Sequence, residues 1–296
     1  MDPRFSLEQN VSLKDRCTYR TGGSARYFAR PLNTEELGAA VAYAAQTAIP
    51  WFVLGKGSNV LISDAGYNGL VISMEKFNTI AVDAPLGAVR AQAGAELQDL
   101  VARCCESGLK GLELLNGIPG SVGGGVYMNA GSFDASISDC LDFAVSLTAT
   151  GVCVTRQRAD IEFAYRSSTF QHNKEIVLEA GFQLTHGHAA ELSAIARSIE
   201  QRRRDRQPCE LPSCGSVFKR PPPGGYAGAL IEQAGLKGRR IGGMRVSEKH
   251  ANFIVNDGTG SSADVHALID LVQKTVFDCC GVLLEPEVIF LGDFNG

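Results

Sequence analysis

Residues 117–131 read GIPGSVGGGVYMNAG, and no other stretch restricts the fold of this chain so tightly. Six of the fifteen positions are glycine, yet apolar sequence flanks the run and it is no low-complexity linker. Glycine is worth its entropic cost where the backbone takes positive φ or approaches another group closely. With Pro119, Ser121, Tyr127 and Asn129 interleaved, the run reads as main chain pressed against a ligand. A second segment of the same character, LGKGSN at 54–59, follows the apolar run 51–54. Two such loops beside strand-like sequence point to a phosphate-bearing cofactor held by backbone N–H groups. The alternative is a pair of tight turns in an α/β protein, which the placement of Ser and Asn makes the weaker reading. Neither a G-x-G-x-x-G after a strand nor a Walker A sequence occurs, so such a site is not of the common kinds.

Around these loops the pattern is α+β rather than a regular βαβ alternation. Good helix formers over 35–48 predict a helix capped by Thr34 and ended by Pro50. Residues 96–107 predict a second, amphipathic helix closing at Gly108. Strands are predicted at 51–54, 69–73, 89–93 and 176–184, with a strand pair at 143–148 and 151–155 around a turn at 149–151. The polar helix predicted at 191–204 ends in RRRDR at 202–206, which suits a solvated helix C-terminus better than an anion site. Loop-rich sequence follows at 207–212 and 221–225. Beyond it come a helix at 227–234, a strand at 251–256, a helix at 262–280 and a strand at 282–291. The composition shift places a domain boundary near 190–208, giving domains of 1–195 and 196–296.

The 296 residues suffice for a substantial core, and 45% hydrophobic with 20% charged residues is ordinary for a globular protein. A net charge of −4 argues against nucleic acid as the main partner. No run of 18 apolar residues occurs, and MDPRFSLEQN lacks a signal pattern, so a cytoplasmic location is expected. The nine cysteines are odd in number, include two adjacent pairs and form no CxxC. They indicate neither a disulfide framework nor a metal site, and read as small packed residues.

Three segments set polar groups within apolar or glycine-bearing sequence: YRSS at 165–168, SCGSVFK at 213–219 and LEPEV at 284–288. Glu287, between Pro286 and the apolar 288–290, is expected in a partly buried setting, either protonated or paired with an arginine. Its other reading is a strand-edge carboxylate beside Glu285. Ser216 follows Gly215, a placement that exposes a hydroxyl on a sharp turn, but G-x-S-x-G is absent. The five histidines form no H-E-x-x-H, and His186-Gly187-His188 reads as a surface turn. From the residues alone the chain is an α+β enzyme that binds an anionic ligand.

In combination these motifs resemble the bacterial UDP-N-acetylenolpyruvoylglucosamine reductases. The resemblance runs in order through YRTGGSA (19–25), LGKGSN, GIPGSVGGGVYMNAG, YRSSTF (165–170), PSCGSVFK (212–219), AGLKGRRIGGMRVSEKHANF (234–253) and LEPEV. It spans nearly the whole chain and is similar to the shorter of the family's two forms. It implies an FAD-binding domain of the vanillyl-alcohol-oxidase type, made of two α/β subdomains, followed by a smaller α+β substrate domain. The implied cofactor is non-covalent FAD, with Gly55, Lys56, Gly57, Ser58, Asn59, Gly117, Pro119, Gly120, Ser121, Gly123 and Gly124 around it. The implied substrate ligands are Tyr127, Asn129, Lys219, Arg220 and Lys249.

The implied activity has two halves. NADPH reduces the flavin, and the flavin then passes hydride to C3 of UDP-N-acetylglucosamine enolpyruvate. Negative charge gathering at C2 and the adjacent carboxylate requires preorganised partners, which by motif position are Arg166 and Glu287. Ser216 then delivers a proton to C2, and a protonated Glu287 donates a hydrogen bond. The implied product is UDP-N-acetylmuramic acid, a peptidoglycan precursor, with no obligatory protein partner. Three positions depart from the family pattern: Arg220 stands where Asn is common, Ile289 where Arg is common, and Cys214 where Ala is frequent. A flavin oxidase of small alcohols and a catalytically idle flavin- or UDP-sugar-binding protein are the competing readings. The intact Arg166, Ser216 and Glu287 argue against the idle protein, and PSCGSVFK and LEPEV against the oxidase.

Overall fold

A computed structural model describes residues 4–222 and 224–294. The chain forms two compact units that do not follow it in order. The first comprises Met1–Glu8, Phe28–Lys56 and Leu70–Arg202; the second comprises Gln9–Tyr27, Gly57–Gly69 and Arg203–Gly296.

In the first unit, helix α1 (Thr34–Gln46) buries Leu37, Ala40, Val41 and Ala44, a stripe at helical spacing. Its N-cap is Asn33, whose side chain accepts the Glu36 N–H at 2.9 Å, and not the expected Thr34, which is the first helical residue. Asn sits in extended backbone here and satisfies a donor that the helix leaves open. The helix ends at Gln46, before Pro50, with the Thr47 hydroxyl donating to the Tyr43 carbonyl at 2.6 Å. Strand Trp51–Leu54 pairs in parallel with residues 70–73. An antiparallel five-stranded sheet runs in the order Cys153–Gln157, Leu141–Leu147, Ile176–Gln183, Ala88–Gln92, Ile80–Asp83. Helix α2 (Leu97–Glu106) buries Leu97, Leu100, Val101, Cys104 and Cys105.

The glycine-rich stretch is not all loop. Val122–Met128 forms helix α3, which packs on Ala88–Gln92 and Ile176–Gln183. Glycine is a poor helix former, but a Cβ on Gly123 would lie 2.6 Å from that of Ala93, and one on Gly125 would lie 3.2 Å from Ile137 Cδ1. Close packing on the sheet selects glycine here, against propensity. Helix α4 (Thr169–Asn173) and helix α5 (Ala189–Arg206) follow, α5 extending two residues beyond both ends of its expected span.

The second unit has a three-stranded antiparallel sheet, Arg240–Ile241, Met244–Val246 and Ile254–Asn256, against which helix α7 (Ser262–Cys280) packs. Ser261 and Asp264 form a reciprocal capping box at the start of α7, and Gly281 ends it in the left-handed region. Short helix α6 (Ala227–Gln233) packs against α7. The early segments join by side-chain bonding. Asn256 Nδ2 donates to the Tyr19 carbonyl (2.8 Å), the Ser262 hydroxyl to Thr21 Oγ1 (2.8 Å), and the Asp64 carboxylate accepts the Ser262 and Ala263 N–H groups. Strand Val60–Ile62 pairs in parallel with Ile289–Leu291, all that is strand in the expected 282–291.

Among the described residues no helix is long and apolar enough to cross a membrane, and no group of three or more His, Cys, Asp or Glu is arranged to hold a metal.

Candidate functional site

In the first unit Arg166 sits at a two-residue turn between Phe163–Ala164 and Ser167–Ser168, which pair antiparallel. Its φ is 54°, a left-handed conformation that costs an L residue about 1–2 kcal/mol. Surrounding bonds hold it there. Gln171 Nε2 donates to the Arg166 carbonyl at 3.1 Å and to the Tyr127 carbonyl at 2.8 Å. The Ser168 hydroxyl donates to the same Tyr127 oxygen at 2.7 Å. Asn129, left-handed at the C-terminus of α3, donates from Nδ2 to the Ala164 carbonyl at 3.0 Å. The guanidinium donates to the Gly131 carbonyl at 3.2 Å. Tyr127 and Asn129 are thus brought beside Arg166. Asn129 Oδ1 is buried and has no hydrogen-bond partner among the described residues, which leaves one acceptor open. Burial raises the Tyr127 phenol above its ordinary value.

The candidate cofactor loop of this unit presents donors. Gly117 and Gly120 have φ of 77° and 138°, and the N–H groups of Gly117, Gly120 and Ser121 make no hydrogen bond among the described residues. Backbone donors of this kind, two of them on glycine, fit an anionic group such as a cofactor phosphate. Ser121 Oγ accepts the Gly124 N–H at 3.3 Å, and Gly124 is exposed. A Cβ on Gly55 would overlap Ser121 Oγ, so the two loops meet backbone to side chain. Gly123 is buried packing, as described above, rather than part of an open cradle. Lys56 is engaged by Glu96 in an ion pair.

The second unit holds the other candidates. Gly215 has φ of 74°, the sharp turn expected before Ser216. The Ser216 hydroxyl is half-buried and has no hydrogen-bond partner among the described residues. The next residues pair with the LEPEV segment: Glu287 N–H donates to the Val217 carbonyl at 2.7 Å and Lys219 N–H to the Glu285 carbonyl at 2.9 Å. Ser216 and Glu287 are therefore brought together by main-chain bonds, with Glu287 itself half-buried. Asn59, expected at the cofactor, donates from Nδ2 to the Glu287 carbonyl at 3.0 Å. Gly57 (φ 62°) lies so close to the Arg16 carbonyl that a Cβ would overlap it, and its own carbonyl accepts the Thr18 N–H at 3.1 Å. Ser58 is half-buried on the same turn.

The candidate substrate ligands of this unit are partly occupied. Lys219 Nζ is 2.5 Å from Glu285 Oε1, Lys249 bonds the Arg204 carbonyl and lies 3.7 Å from Glu210, and the Arg220 guanidinium stacks 5.2 Å from the Tyr226 ring centroid. Cys214 is packed rather than reactive. Burial pushes its thiol up to about 12, and its sulfur donates to the Val60 carbonyl at 3.3 Å. The basic run at 202–206 is not simply a solvated helix end, because Arg202 stacks 4.5 Å over the Phe133 ring and Arg203 is buried.

Two protein-family profiles match the chain, an FAD binding domain over residues 25–156 and a UDP-N-acetylenolpyruvoylglucosamine reductase C-terminal domain over residues 207–291. An α+β fold with an FAD-binding domain ahead of that second domain defines the class, an FAD-binding oxidoreductase. UDP-N-acetylenolpyruvoylglucosamine reductase of Caldicellulosiruptor bescii is 46% identical over 96% of this chain and 90% of its own length. That of Staphylococcus aureus strain COL is 43% identical over 98% and 94%. The crystal structure of the Thermus caldophilus reductase superposes with a TM-score of 0.83 at 34% identity, covering 97% of this chain and 99% of that one. The chain belongs to the UDP-N-acetylenolpyruvoylglucosamine reductase family.

Neither Asn252 nor Gln171 stands out in the sequence, although both bond to the backbone beside candidate residues. The available signal for Asn252 was an amide set immediately before the apolar 253–255.

Proposed function

We propose that the chain reduces UDP-N-acetylglucosamine enolpyruvate to UDP-N-acetylmuramic acid at the expense of NADPH, as a peptidoglycan precursor enzyme of the cytoplasm. The observation that carries this reading is the Ser216 hydroxyl, without a hydrogen-bond partner among the described residues and tied through Val217 to Glu287. A proton donor must offer its hydrogen to the substrate rather than to the protein, and geometry governs its efficiency.

Non-covalently bound FAD supplies the hydride in this scheme. The N–H groups of Gly117, Gly120 and Ser121 would hold its phosphates, with Gly55 to Asn59, Pro119, Gly123 and Gly124 shaping the surrounding backbone. Ser216 delivers a proton to C2 of the enol ether. Arg166 provides a fixed positive charge for the carboxylate as negative charge builds on it. Glu287, protonated, donates a hydrogen bond to the same developing charge. Tyr127, Asn129, Lys219, Arg220 and Lys249 bind the nucleotide sugar. Lys219 and Lys249 would first exchange their present acceptors for substrate oxygens. In domain terms, residues 1–195 bind the cofactor and 196–296 serve the substrate.

The test is the visible spectrum of the purified holoprotein under anaerobic conditions. NADPH should bleach the flavin bands, and the enolpyruvyl substrate should restore them. Bands restored only by oxygen would replace this reading with the oxidase one.

A further inference from the structure

We propose that Asn252 is the positioning residue that holds Ser216 ready for proton delivery; this rests on Ser216 being the proton donor. Asn252 is 7% exposed, and both ends of its carboxamide are used on one residue. Oδ1 accepts the Phe218 N–H at 3.0 Å, and Nδ2 donates to the Phe218 carbonyl at 2.8 Å. Its main-chain carbonyl accepts the Val217 N–H at 2.8 Å. From the other side, Glu287 N–H takes the Val217 carbonyl at 2.7 Å. Every backbone polar group of Val217 and Phe218 is therefore bonded, and Asn252 makes three of the four bonds.

The chemistry explains why an amide stands at this position. A carboxamide carries one donor edge and one acceptor edge, as a peptide group does, and so continues a strand pairing where no main chain is available. The two residues after Ser216 thus gain a second strand partner from a side chain. Asn252 is itself fixed, because its N–H donates to His250 Nδ1 at 3.3 Å and the His250 and Lys249 N–H groups both donate to Ser247 Oγ. With the following peptides locked and Gly215 forming the turn before, rotation about its own Cα–Cβ bond is the freedom left to the Ser216 hydroxyl. Asn252 touches neither substrate nor cofactor in this account and acts through Ser216 alone.

The experiment compares Asn252→Asp and Asn252→Ser with the wild type and Ser216→Ala, each as FAD-loaded holoprotein. Asn252→Asp keeps the shape and the acceptor but sets an oxygen against the Phe218 carbonyl. Asn252→Ser keeps a shorter donor and acceptor, and serves if the first variant fails to fold. Flavin reduction by NADPH and reoxidation by UDP-N-acetylglucosamine enolpyruvate are followed separately. Reoxidation should slow by roughly 10- to 100-fold, the cost of a small misplacement of a reacting group, while reduction stays at the wild-type rate. Adding either change to Ser216→Ala should slow reoxidation by less than about twofold further, since residues acting as one unit are non-additive. Equal losses in both half-reactions, or a full multiplicative loss in the Ser216→Ala background, would overturn the proposal. Wild-type reoxidation in the Asn252 variants beside a slow Ser216→Ala would sink this proposal alone. Wild-type reoxidation in Ser216→Ala itself would remove the proton-donor reading and this proposal with it.

Discussion

Arg166 and Ser216 are held by opposite strategies. Arg166 lies on a strained two-residue turn that bonds to Gln171 within five residues and to Gly131 at a separation of 35, with Ser168 and Gln171 both anchored on the Tyr127 carbonyl. Its backbone is strained, and its side chain donates to the Gly131 carbonyl and lies over the Tyr165 ring. Ser216 has an unstrained φ, and its neighbours pair with segments 34 and about 70 residues distant. A cation that must point at charge can be placed by a tight, strained turn. A hydroxyl that must reach one carbon needs main chain fixed from both sides. Backbone strain at a functional position is tolerated where the surroundings over-determine it.

The sharpest way to break this comparison is Arg166→Gly. Glycine accepts φ of 54° freely, so the variant should fold with stability within about 1 kcal/mol of wild type. Its flavin reoxidation by substrate should nevertheless fall by about 10²–10³-fold, the scale of losing one preorganised charge partner. Stopped-flow traces with thermal melts check both parts; a strong loss of stability would mean that the turn is not strained as described. Glu287→Gln comes next, with reoxidation slowed by roughly 10²-fold and flavin reduction unaffected if the carboxyl acts as an acid. Wild-type turnover in that variant would remove Glu287 from the mechanism.

Two changes sharpen the structural half. Gly57→Ala forces a Cβ onto the Arg16 carbonyl at positive φ, and should cost about 2–3 kcal/mol of stability in denaturant melts. A loss below experimental error would show that the turn relaxes. Asn33→Ala removes the α1 cap far along the chain from either candidate region. It should cost about 1 kcal/mol with both half-reactions at wild-type rates. Altered kinetics there would show that general stability, rather than local placement, limits the reaction.

What the sequence discloses follows the range of the interactions. Helices α1, α2 and α7 show as apolar stripes because their faces are set by residues three and four apart. In the sequence SCGSVFK and LEPEV read only as two separate polar islands, since their register depends on bonds across about 70 residues. The assignment of residues 9–27 to the second unit was equally hidden, resting on Asn256 to Tyr19 and Ser262 to Thr21. In the glycine run, positive φ at Gly117 and Gly120 was legible in kind. The helix at Val122–Met128 was not, because packing on Ala93 overrides glycine's low propensity. Asn59 and Lys56 read as cofactor residues by motif alone, and their protein partners, the Glu287 carbonyl and Glu96, are not legible in the sequence.

The most direct test of the account is the anaerobic two-step trace of Ser216→Ala. Among the described residues the Ser216 hydroxyl makes no hydrogen bond, so the variant should melt as wild type and be bleached by NADPH at the wild-type rate. Substrate should then restore the flavin at least about 10²-fold more slowly, the range of a lost general acid. Wild-type recovery, or equal slowing of bleaching and recovery, would contradict it.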